Sequence, residues 1–332
     1  MADYDYCLPE ESIAQVPAEP RDSARLLVAT GPAVEHRRVR DLPDYVGAGD
    51  LLVVNDTRVL PARLHLRKPS GGGAEVLLLE PEGDDCWSAL VRPSRRLPPG
   101  TVLVAPDGLA VLEVGELRDG GSTRQVRLLA EPWGYGEIPL PPYLHHGIAD
   151  PERYQTVYAS RPGSVAAPTA GLHLTEAVLD ACRARGAGLA RVELVVGLDT
   201  FRPVLVEDPA EHVMHSESFR VPSDTWQACV RTRAAWGRVI AIGTTTVRAL
   251  ESAASTGRLE GRTSLYIRAP FEFAVVDVLL TNFHLPRSTL LLMVEAFAGP
   301  RWRELYRLAL AEDYRFLSFG DAMLLARSAA ER

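Results

Sequence analysis

The feature that most constrains the fold of this chain is a change of pattern near residue 61. Between Pro61 and Asp150, short β-rich runs such as "AEVLLLE" and "TVLVAP" alternate with Gly, Pro and Asp turns about every ten residues. No helical period is visible in this segment. It therefore predicts a small antiparallel barrel or sandwich.

Strand and helix patterns alternate outside this segment. The run "DLLVVND" (Asp50 to Asp56) is apolar on both faces, as expected for a central strand of a covered sheet. Further strands are predicted at "LARVELVV", "RVIAIGT", "TSLYIRA" and "FAVVDVLL", and helices at "TEAVLDACRARG", "DTWQACVRTRAAWG", "TTVRALESAAS" and near Ser288 to Ala298 and Arg301 to Glu312. The predicted fold is an α/β main domain (1–60 and 150–332) with an inserted small antiparallel β-barrel domain (61–149).

A single lysine excludes two classes of enzyme. Lys68 is followed by Pro69, so the Gly-Lys-Ser/Thr of a P-loop is absent. A Schiff-base mechanism would have to use the same lysine, which lies in a polar "RKPSGGG" turn. We therefore discount both.

The remaining composition favours a cytoplasmic protein. Four widely spaced cysteines without a CxxC pair indicate reduced thiols, and no apolar run approaches the length of a membrane span or an export signal. The formal net charge of −7 argues against indiscriminate polyanion binding. His212, His215 and Glu217 lie close in sequence, but no further ligand at tight spacing supports them, so no metal site is predicted. The sequence does not indicate the oligomeric state, and we expect a monomer.

Four loops are richer in polar groups than structure alone requires. Because ligands of α/β sheets collect beyond the carboxyl ends of strands, these loops are candidates for one binding site. They are "NDTRVLPARL" (with Asn55, Asp56, Thr57 and Arg58), "GSVAAPTAGLHLTE" (with Pro168, Thr169, Ala170, Gly171 and His173), "AIGTTTVRALES" (with Gly243, Thr244, Thr245 and Arg248) and "LLTNFHLPRSTLL" (with Asn282 and His284).

Each loop also has a purely structural interpretation. Asp56 is suited to capping its own turn, and a lone histidine such as His173 is more often a satisfied core residue than a base. The threonines after Gly243 suit helix capping, although helix N-terminal amides also favour a carboxylate or oxyanion. Arg248 and Glu251 lie three residues apart on one helix face, where a surface ion pair is the simplest explanation.

Taken together and in this order, the loops resemble the S-adenosylmethionine:tRNA ribosyltransferase-isomerases of queuosine synthesis. The resemblance extends along nearly the whole chain and includes, besides the four loops, "DYCLPEESIAQVP", "RDSARLLV", "GEIPLPPYL", "ERYQTVYA", "HSESFRV" and "YRFLSFGDAML". It implies the same α/β domain with an inserted barrel that the patterning predicts independently.

The resemblance also implies a reaction. Enzymes of this family transfer and isomerise the ribosyl part of S-adenosylmethionine onto the aminomethyl group of a 7-deazaguanine at the wobble position of tRNA. Epoxyqueuosine-tRNA, adenine and methionine are the products. S-adenosylmethionine is a co-substrate, and no tightly bound cofactor is implied.

That chemistry suggests roles for the polar residues, as hypotheses based on motif position. A sulfonium acidifies the adjacent C5′ hydrogen, so His173 or His284 is a candidate base. Asp321 or Glu217 is a candidate acid for departing adenine, or a partner for the ammonium of methionine. Arg58 or Arg248 would hold a carboxylate or phosphate. The remaining residues named in the four loops would line the cofactor site.

Three positions depart from the family pattern. Leu174 replaces a usual phenylalanine, Val195 stands where a histidine is common, and Asp199 where glycine is frequent. A relative that modifies a different amine, or a catalytically silent RNA-binding protein, are the alternatives. The segment 60–149 has nine basic and eleven acidic residues, although "VRPSRR" and "RLHLRK" leave room for a local RNA-binding strip.

Overall fold

A computed structural model of the chain describes residues 1–197, 204, 206–214 and 216–328. This part contains five α-helices, α1 to α5: Glu176–Ala184, Ser223–Ala234, Thr244–Thr256, Thr289–Ala298 and Trp302–Ala311. Its strands, β1 to β18, are Arg25–Ala29, Glu35–Arg38, Leu51–Asn55, Thr57–Val59, Arg63–Arg67, Gly73–Gly83, Cys86–Arg92, Thr101–Val104, Ala110–Arg118, Thr123–Leu128, Gly136–Glu137, Arg161–Ser164, Gly188–Leu194, Glu217–Arg220, Val239–Ile242, Glu260–Thr263, Val278–Asn282 and Ala322–Ala326.

The chain forms two compact units. The first consists of Met1–Thr57, Pro142–Arg161 and Ala167–Arg332, and the second of Arg58–Pro141 and Pro162–Ala166. The short segment joins the second unit through backbone pairing, since the Leu60 N–H donates to the Ser164 carbonyl at 2.9 Å. Domain limits at 61 and 149 stay a prediction from the sequence.

The second unit is a closed antiparallel barrel. Six strands pair in the order β5-β6-β7-β10-β9-β8, and β8 returns to β5 through the pair Arg67 and Val104. Alternate side chains point inward, so Val76, Leu78, Val91 and Val126 are buried. The predicted class, an α/β domain with an inserted small barrel, is confirmed.

The first unit is built on a nine-stranded mixed sheet in the order β16-β14-β13-β3-β15-β17-β18-β1-β2. Strands β13, β3, β15 and β17 run parallel to one another, whereas β18 is antiparallel to β17. Every residue of β3, β15 and β17 is buried, as the uninterrupted apolar run at β3 predicts. The carboxyl ends of these strands therefore lie at one edge of the sheet.

One face of the sheet is covered by α1. Leu52, Ile240 and Leu280 point to this face and belong to one core with Val178 and Leu179 of the helix. Burying each such side chain contributes roughly 1.5–3 kcal/mol. This packing holds α1 against the face of the sheet.

Helix ends follow the chemistry of their first and last residues. Thr175 caps α1 by accepting the Val178 N–H at 3.3 Å, and Gly186 follows the helix with a φ of 87°. Ser288 caps α4 by accepting the N–H of Leu291 at 3.3 Å. These predicted ends are confirmed. None of the helices in the described ranges is both long and apolar enough to cross a bilayer.

The strand predicted at "TSLYIRA" (263–269) is wrong. Only Thr263 belongs to a strand, and the rest is irregular up to Pro270. The Thr263 hydroxyl accepts the N–H of Leu265 at 3.1 Å and bonds to the Ser252 hydroxyl at 2.6 Å. A local side-chain bond of this kind turns the backbone away from a ladder.

Asp50, directly before β3, ties three segments together. Its carboxylate accepts the backbone N–H groups of Gly47 (2.8 Å) and Arg238 (2.9 Å) and pairs with the Arg238 guanidinium at 2.5 Å. Burial alone would raise the pKa of Asp50. The hydrogen bonds from Arg238 and Gly47 lower it by more than burial raises it, so the pKa lies below its usual range.

We expect Asp50→Asn to lower the free energy of unfolding at pH 7 by about 1–3 kcal/mol. Because the folded-state pKa is lowered, the contribution of Asp50 is complete above its unfolded pKa and is lost as pH falls through the folded pKa. Urea unfolding at pH 7 and pH 3 tests this, since the difference between variant and wild type should shrink in acid. Asp44→Asn, at an exposed pair with Arg185, is the control and should cost less than about 1 kcal/mol. An equal loss at both pH values would contradict the assignment.

Candidate functional site

Four polar segments meet at the carboxyl edge of the parallel strands. Asn55 ends β3, Gly243 follows β15, and Asn282 ends β17. Because β18 is antiparallel to β17, its first residue Ala322 pairs with Asn282 and brings Asp321 to the same edge. The convergence expected from the sequence is therefore present within the first unit.

The loop after Pro168 is joined to the end of β17 by side-chain hydrogen bonds. Residues Thr169–His173 form a short 3-10 helix. The Asn282 Nδ2 group donates to the Leu317 carbonyl (3.1 Å) and lies 2.8 Å from His173 Nε2, while Asn282 Oδ1 accepts the Thr169 hydroxyl at 3.0 Å. Since the amide nitrogen faces His173, Nε2 of the ring is an acceptor and the proton of the neutral ring is on Nδ1.

His284 lies two residues further on. Its Nε2 atom is 2.8 Å from the Thr281 hydroxyl, and its backbone N–H donates to the Tyr306 hydroxyl at 3.0 Å. His284 and Asn282 both line a cavity of about 30 Å³, with Thr169 in its wall. The two candidate bases thus belong to one connected group.

Both histidines are neutral at physiological pH. Burial lowers the pKa of His284 to about 3. Burial also lowers the pKa of His173 to about 3, with the positive charges of Arg315, Arg153 and Arg21 adding to the effect. Each ring is therefore in the unprotonated form that a base requires, although its low basicity reduces the driving force for proton transfer.

Asp321 is bound by backbone groups on both sides. Its two carboxylate oxygens accept the N–H of Arg25 (2.7 Å) and the N–H of Arg315 (2.8 Å). Burial raises the pKa of Asp321, and the two backbone bonds oppose this shift. The side chain is 2% exposed and holds the ends of β1 and β18 together.

Helix α3 begins at the same edge and presents an arginine on its first turns. Gly243 has a φ of 92°, and a Cβ placed there would contact Ala170 at 3.5 Å, so the second and third loops touch. Thr244, Thr245 and Arg248 share one helix face. The Arg248 Nη1 group donates to Glu217 of β14. The expected surface pair between Arg248 and Glu251 is not formed, because both side chains are buried and the Glu251 carboxylate accepts the backbone N–H groups of residues 274 to 276.

Arg248 keeps two unused donors. Its side chain is 7% exposed, and neither Nε nor Nη2 has a hydrogen-bond partner among the described residues. Burial lowers the pKa of Arg248 to about 10, so the guanidinium stays charged at pH 7. The hydroxyl of Thr245 is buried and equally without a described partner. Buried donors of this kind are rare and indicate an absent polar partner.

A second group of unused polar atoms includes two whose side chains contact Gly171. A Cβ on Gly171 would lie 1.9 Å from the Tyr158 hydroxyl and 2.9 Å from Thr156, so both side chains rest on this glycine. Within the described ranges, Tyr158 OH, Thr156 Oγ1, Thr57 Oγ1 and Asp56 Oδ1 are buried and have no hydrogen-bond partner. Burial raises the pKa of Tyr158, and the nearby charge of Asp56 raises it further.

Sequence reasoning did not select Thr156 and Tyr158. They occur in "ERYQTVYA", a stretch with neither a strand nor a helix pattern. The sequence signal that could have identified these two residues was that their segment is one of those that resemble the family. Their position becomes evident only from the contact with Gly171.

Asn55 has a backbone role. Its amide donates to the Leu194 carbonyl at 3.0 Å and accepts the N–H groups of Leu194 (3.2 Å) and Thr57 (3.3 Å). The side chain is fully buried and links β3 to β13. Its contribution to the site is to fix Asp56 and Thr57, which follow it.

Arg58 lies in β4 and belongs to the second unit.

The residues that depart from the family pattern have different environments. Leu174 is fully buried in the core beneath the sheet, and the backbone N–H of Val195 donates to the Ser218 carbonyl at 2.9 Å. Asp199 and His215 lie outside the described residues. Among the described residues, no group of three or more His, Cys, Asp or Glu side chains is placed to hold a metal ion.

Comparison with known proteins agrees with this architecture. The sequence profile of the family described as "Queuosine biosynthesis protein" matches residues 1–325. A protein of Thermus thermophilus named S-adenosylmethionine:tRNA ribosyltransferase-isomerase is 51% identical, with 97% of this chain and 98% of that protein aligned. A protein of the same name from Azoarcus sp. is 50% identical over 99% of this chain and 98% of its own length.

A solved structure gives the same result. The crystal structure of S-adenosylmethionine tRNA ribosyltransferase from Thermotoga maritima aligns with a TM-score of 0.56 and 36% sequence identity. The alignment covers 97% of this chain and 99% of that one. The resemblance identified from the sequence is thereby confirmed: the chain is an enzyme and belongs to the S-adenosylmethionine:tRNA ribosyltransferase-isomerase family of queuosine biosynthesis proteins.

Proposed function

We propose that this enzyme transfers and isomerises the ribosyl part of S-adenosylmethionine onto the 7-aminomethyl-7-deazaguanine base of tRNA. Epoxyqueuosine-tRNA, adenine and methionine are the products. The observation that carries the proposal is the set of buried polar atoms without described partners at the strand ends. A polar, nucleoside-bearing ligand would satisfy them, as buried donors and acceptors require.

The Arg248–Glu217 pair suits the amino-acid end of S-adenosylmethionine. This end carries a carboxylate and an ammonium group, so it needs one cationic and one anionic partner. The free Nε and Nη2 donors of Arg248 form a fork that matches a carboxylate. Glu217 lies beside them as a partner for the ammonium group. The free N–H groups at the start of α3, after Gly243, would add to the carboxylate seat.

The atoms around Gly171 suit the nucleoside end. Hydroxyl groups of ribose donate and accept hydrogen bonds, and the unused atoms of Asp56, Thr57, Thr156 and Tyr158 offer both functions. Because Gly171 has no side chain, there is room for the Tyr158 hydroxyl beside it. Pro168, Thr169 and Ala170 directly precede Gly171, and the Thr169 hydroxyl donates to Asn282 Oδ1, whose amide nitrogen contacts His173.

His173 and His284 remain the proposed bases. Either neutral ring would take the C5′ proton, leaving the electron pair on carbon beside the sulfonium. At His173 the proton would go to Nε2, which must first release the Asn282 N–H that it accepts. Asp321 or Glu217 would supply the proton that adenine takes up as its bond to C1′ breaks. Of these, Glu217 contacts a residue with unused donors, whereas both oxygens of Asp321 are occupied by backbone N–H groups.

Adenine release tests the proposal. The protein is incubated with S-adenosylmethionine labelled in adenine and with tRNA carrying the aminomethyl-deazaguanine. We expect adenine release that requires this tRNA, and the labelled ribosyl carbons in RNA when the label is placed there. Release with a small amine but not with tRNA would replace the proposal by a different acceptor. No release under either condition would overturn it. The proposed tRNA substrate fits the cytoplasmic location expected from the sequence.

A further inference from the structure

An open cleft of about 660 Å³ lies on the first unit beside β13. Strand β14 pairs with β13 only through Glu193 and Leu194, so that residues Gly188–Val192 have β3 as their strand neighbour on one side only. Helix α2 forms the opposite wall, and its Thr225 hydroxyl donates to the Arg191 carbonyl at 2.8 Å. A volume of this size is sufficient for a nucleotide.

The cleft carries an excess of arginine over acid. Four arginines line it, Arg161, Arg191, Arg220 and Arg231, against Asp56, Glu193 and Asp224. Arg161 and Arg220 share a single carboxylate oxygen of Glu193, at 3.8 Å and 3.0 Å. Arg231 forms no ion pair with any described residue. This concentration of cations contrasts with the net charge of −7 of the whole chain.

These guanidinium groups are accessible. The side chains of Arg161, Arg191 and Arg220 are 61%, 49% and 47% exposed. Weak ion pairs between exposed groups contribute little to stability, so a stronger anion can displace them at low cost. Arginine forks bind phosphate in two-point contacts, and phosphate contacts position nucleic acids on proteins.

The cleft shares Asp56 with the candidate site. Asp56 forms part of its wall, and the Asp56 Oδ2 atom accepts the Ser160 hydroxyl at 2.8 Å. The charge of Asp56 also acts on Tyr158, whose hydroxyl rests on Gly171 of the candidate site. A polynucleotide lying in the cleft would therefore come next to Asp56 of the site.

The basic residues of the "RLHLRK" run in the barrel are held by other groups of that unit. Arg63 pairs with Glu75 at 2.9 Å, Arg67 donates to the Pro106 carbonyl at 2.6 Å, and Lys68 donates to the Arg96 carbonyl at 3.1 Å. These bonds occupy donors of the "RLHLRK" run. The "RLHLRK" run therefore offers fewer free phosphate-binding groups than its composition suggests.

We propose that the cleft between β13 and α2 binds phosphodiester groups of tRNA next to the nucleotide that is modified. The inference rests on the proposed function, because it takes tRNA as the substrate. Arg161 and Arg220 contact the phosphates in place of Glu193, and Arg231 extends the contact along α2. The cleft positions the RNA and takes no part in the chemical step.

The test compares two double variants of the full-length protein. Arg161→Gln/Arg220→Gln removes two cleft cations, and Arg183→Gln/Arg185→Gln removes two exposed cations at and after the end of α1. Affinity for tRNA carrying the aminomethyl-deazaguanine is measured by fluorescence anisotropy over a range of salt concentrations. Adenine release gives kcat and the KM values for both substrates.

We expect the cleft variant to bind tRNA about 10- to 100-fold more weakly. The magnitude of its salt slope should fall by about 1.4, or about 0.7 for each lost phosphate contact. Its kcat at saturating tRNA and its KM for S-adenosylmethionine should match those of wild type, and the α1 variant should behave as wild type throughout.

Three results would overturn the inference. They are unchanged tRNA affinity and salt slope in the cleft variant, equal weakening in both double variants, and a loss of kcat without a loss of tRNA affinity. If wild type binds tRNA and releases adenine while the cleft variant is unaffected, this inference alone fails. If wild type releases no adenine and binds no tRNA, the proposed function fails with it.

Discussion

Replacing Arg248 by methionine should abolish measurable binding of S-adenosylmethionine and also destabilise the protein. The substitution removes the charge while keeping a long apolar side chain. It removes the Arg248 guanidinium from Glu217, which is 6% exposed. Breaking a buried ion pair on one side costs about 3–5 kcal/mol. Calorimetric titration would measure the binding, and urea unfolding the stability.

A second variant separates the two effects. In Arg248→Met/Glu217→Gln the buried charge is gone, and the glutamine oxygen can still accept the Gly197 N–H that Glu217 accepts at 3.3 Å. We expect the double variant to recover most of the lost stability. Binding of S-adenosylmethionine should stay lost, because the fork for the carboxylate is absent. Recovery of binding together with stability would show that Arg248 has a structural role only.

Much of the fold follows from local pattern. Short β-rich runs separated by turns about every ten residues in 61–149 predicted a barrel, and buried runs such as β3 predicted central strands. Thr175 and Ser288 marked helix starts because a hydroxyl there satisfies a free backbone N–H. These features depend on neighbours along the chain, so they are visible in one sequence.

Long-range pairing is not visible in the same way. Closure of the barrel depends on a bridge between Arg67 and Val104, and β18 enters the sheet between β17 and β1 from the end of the chain. Neither pairing leaves a periodic trace. The strand predicted at 263–269 failed for a local reason instead, since the Thr263 hydroxyl bonds to the N–H of Leu265 and to Ser252, and a β-rich composition does not show such bonds.

The sequence predicted which loops form the site, but not which hydrogen bonds their side chains make. Strand ends collect ligands in α/β sheets, and this rule located His173, Asn282 and Gly243 at one edge. It does not predict what each side chain bonds to. The amide of Asn55 is taken up by Leu194, which lies 139 residues further along the chain. Tyr158 was missed because its position over Gly171 depends entirely on tertiary packing.

Substituting His173 by glutamine should reduce adenine release by at least about 100-fold, the usual contribution of a general base. Glutamine retains an amide oxygen that can accept the Asn282 Nδ2 hydrogen bond, which alanine cannot. This matters because His173 is buried, and removing the ring would leave Asn282 unsatisfied at 2% exposure. His284→Gln is the matched variant at the second candidate, where Thr281 is the partner. Single-turnover release of adenine at saturating substrates is the measurement.

Stability against pH gives an independent check on both variants. Each histidine has a folded-state pKa of about 3, below the ordinary value of 6.5. The unfolded chain therefore binds protons that the folded chain does not, so the contribution is complete above pH 6.5 and is lost as pH falls from there towards 3. The free energy of unfolding should fall by up to about 1.4 kcal/mol per pH unit for each histidine below that point.

The combination of activity and pH data identifies the base. Between about pH 6 and pH 5, where few carboxylates titrate, the free energy of unfolding should depend less steeply on pH in each glutamine variant than in wild type. The difference is the contribution of the one histidine that was replaced. The variant that loses this contribution and also loses adenine release identifies the catalytic ring. The variant that loses only the slope marks a buried structural histidine. Full turnover in both variants would refute the assignment of either histidine as the base, and unchanged slopes would contradict their neutral, buried state.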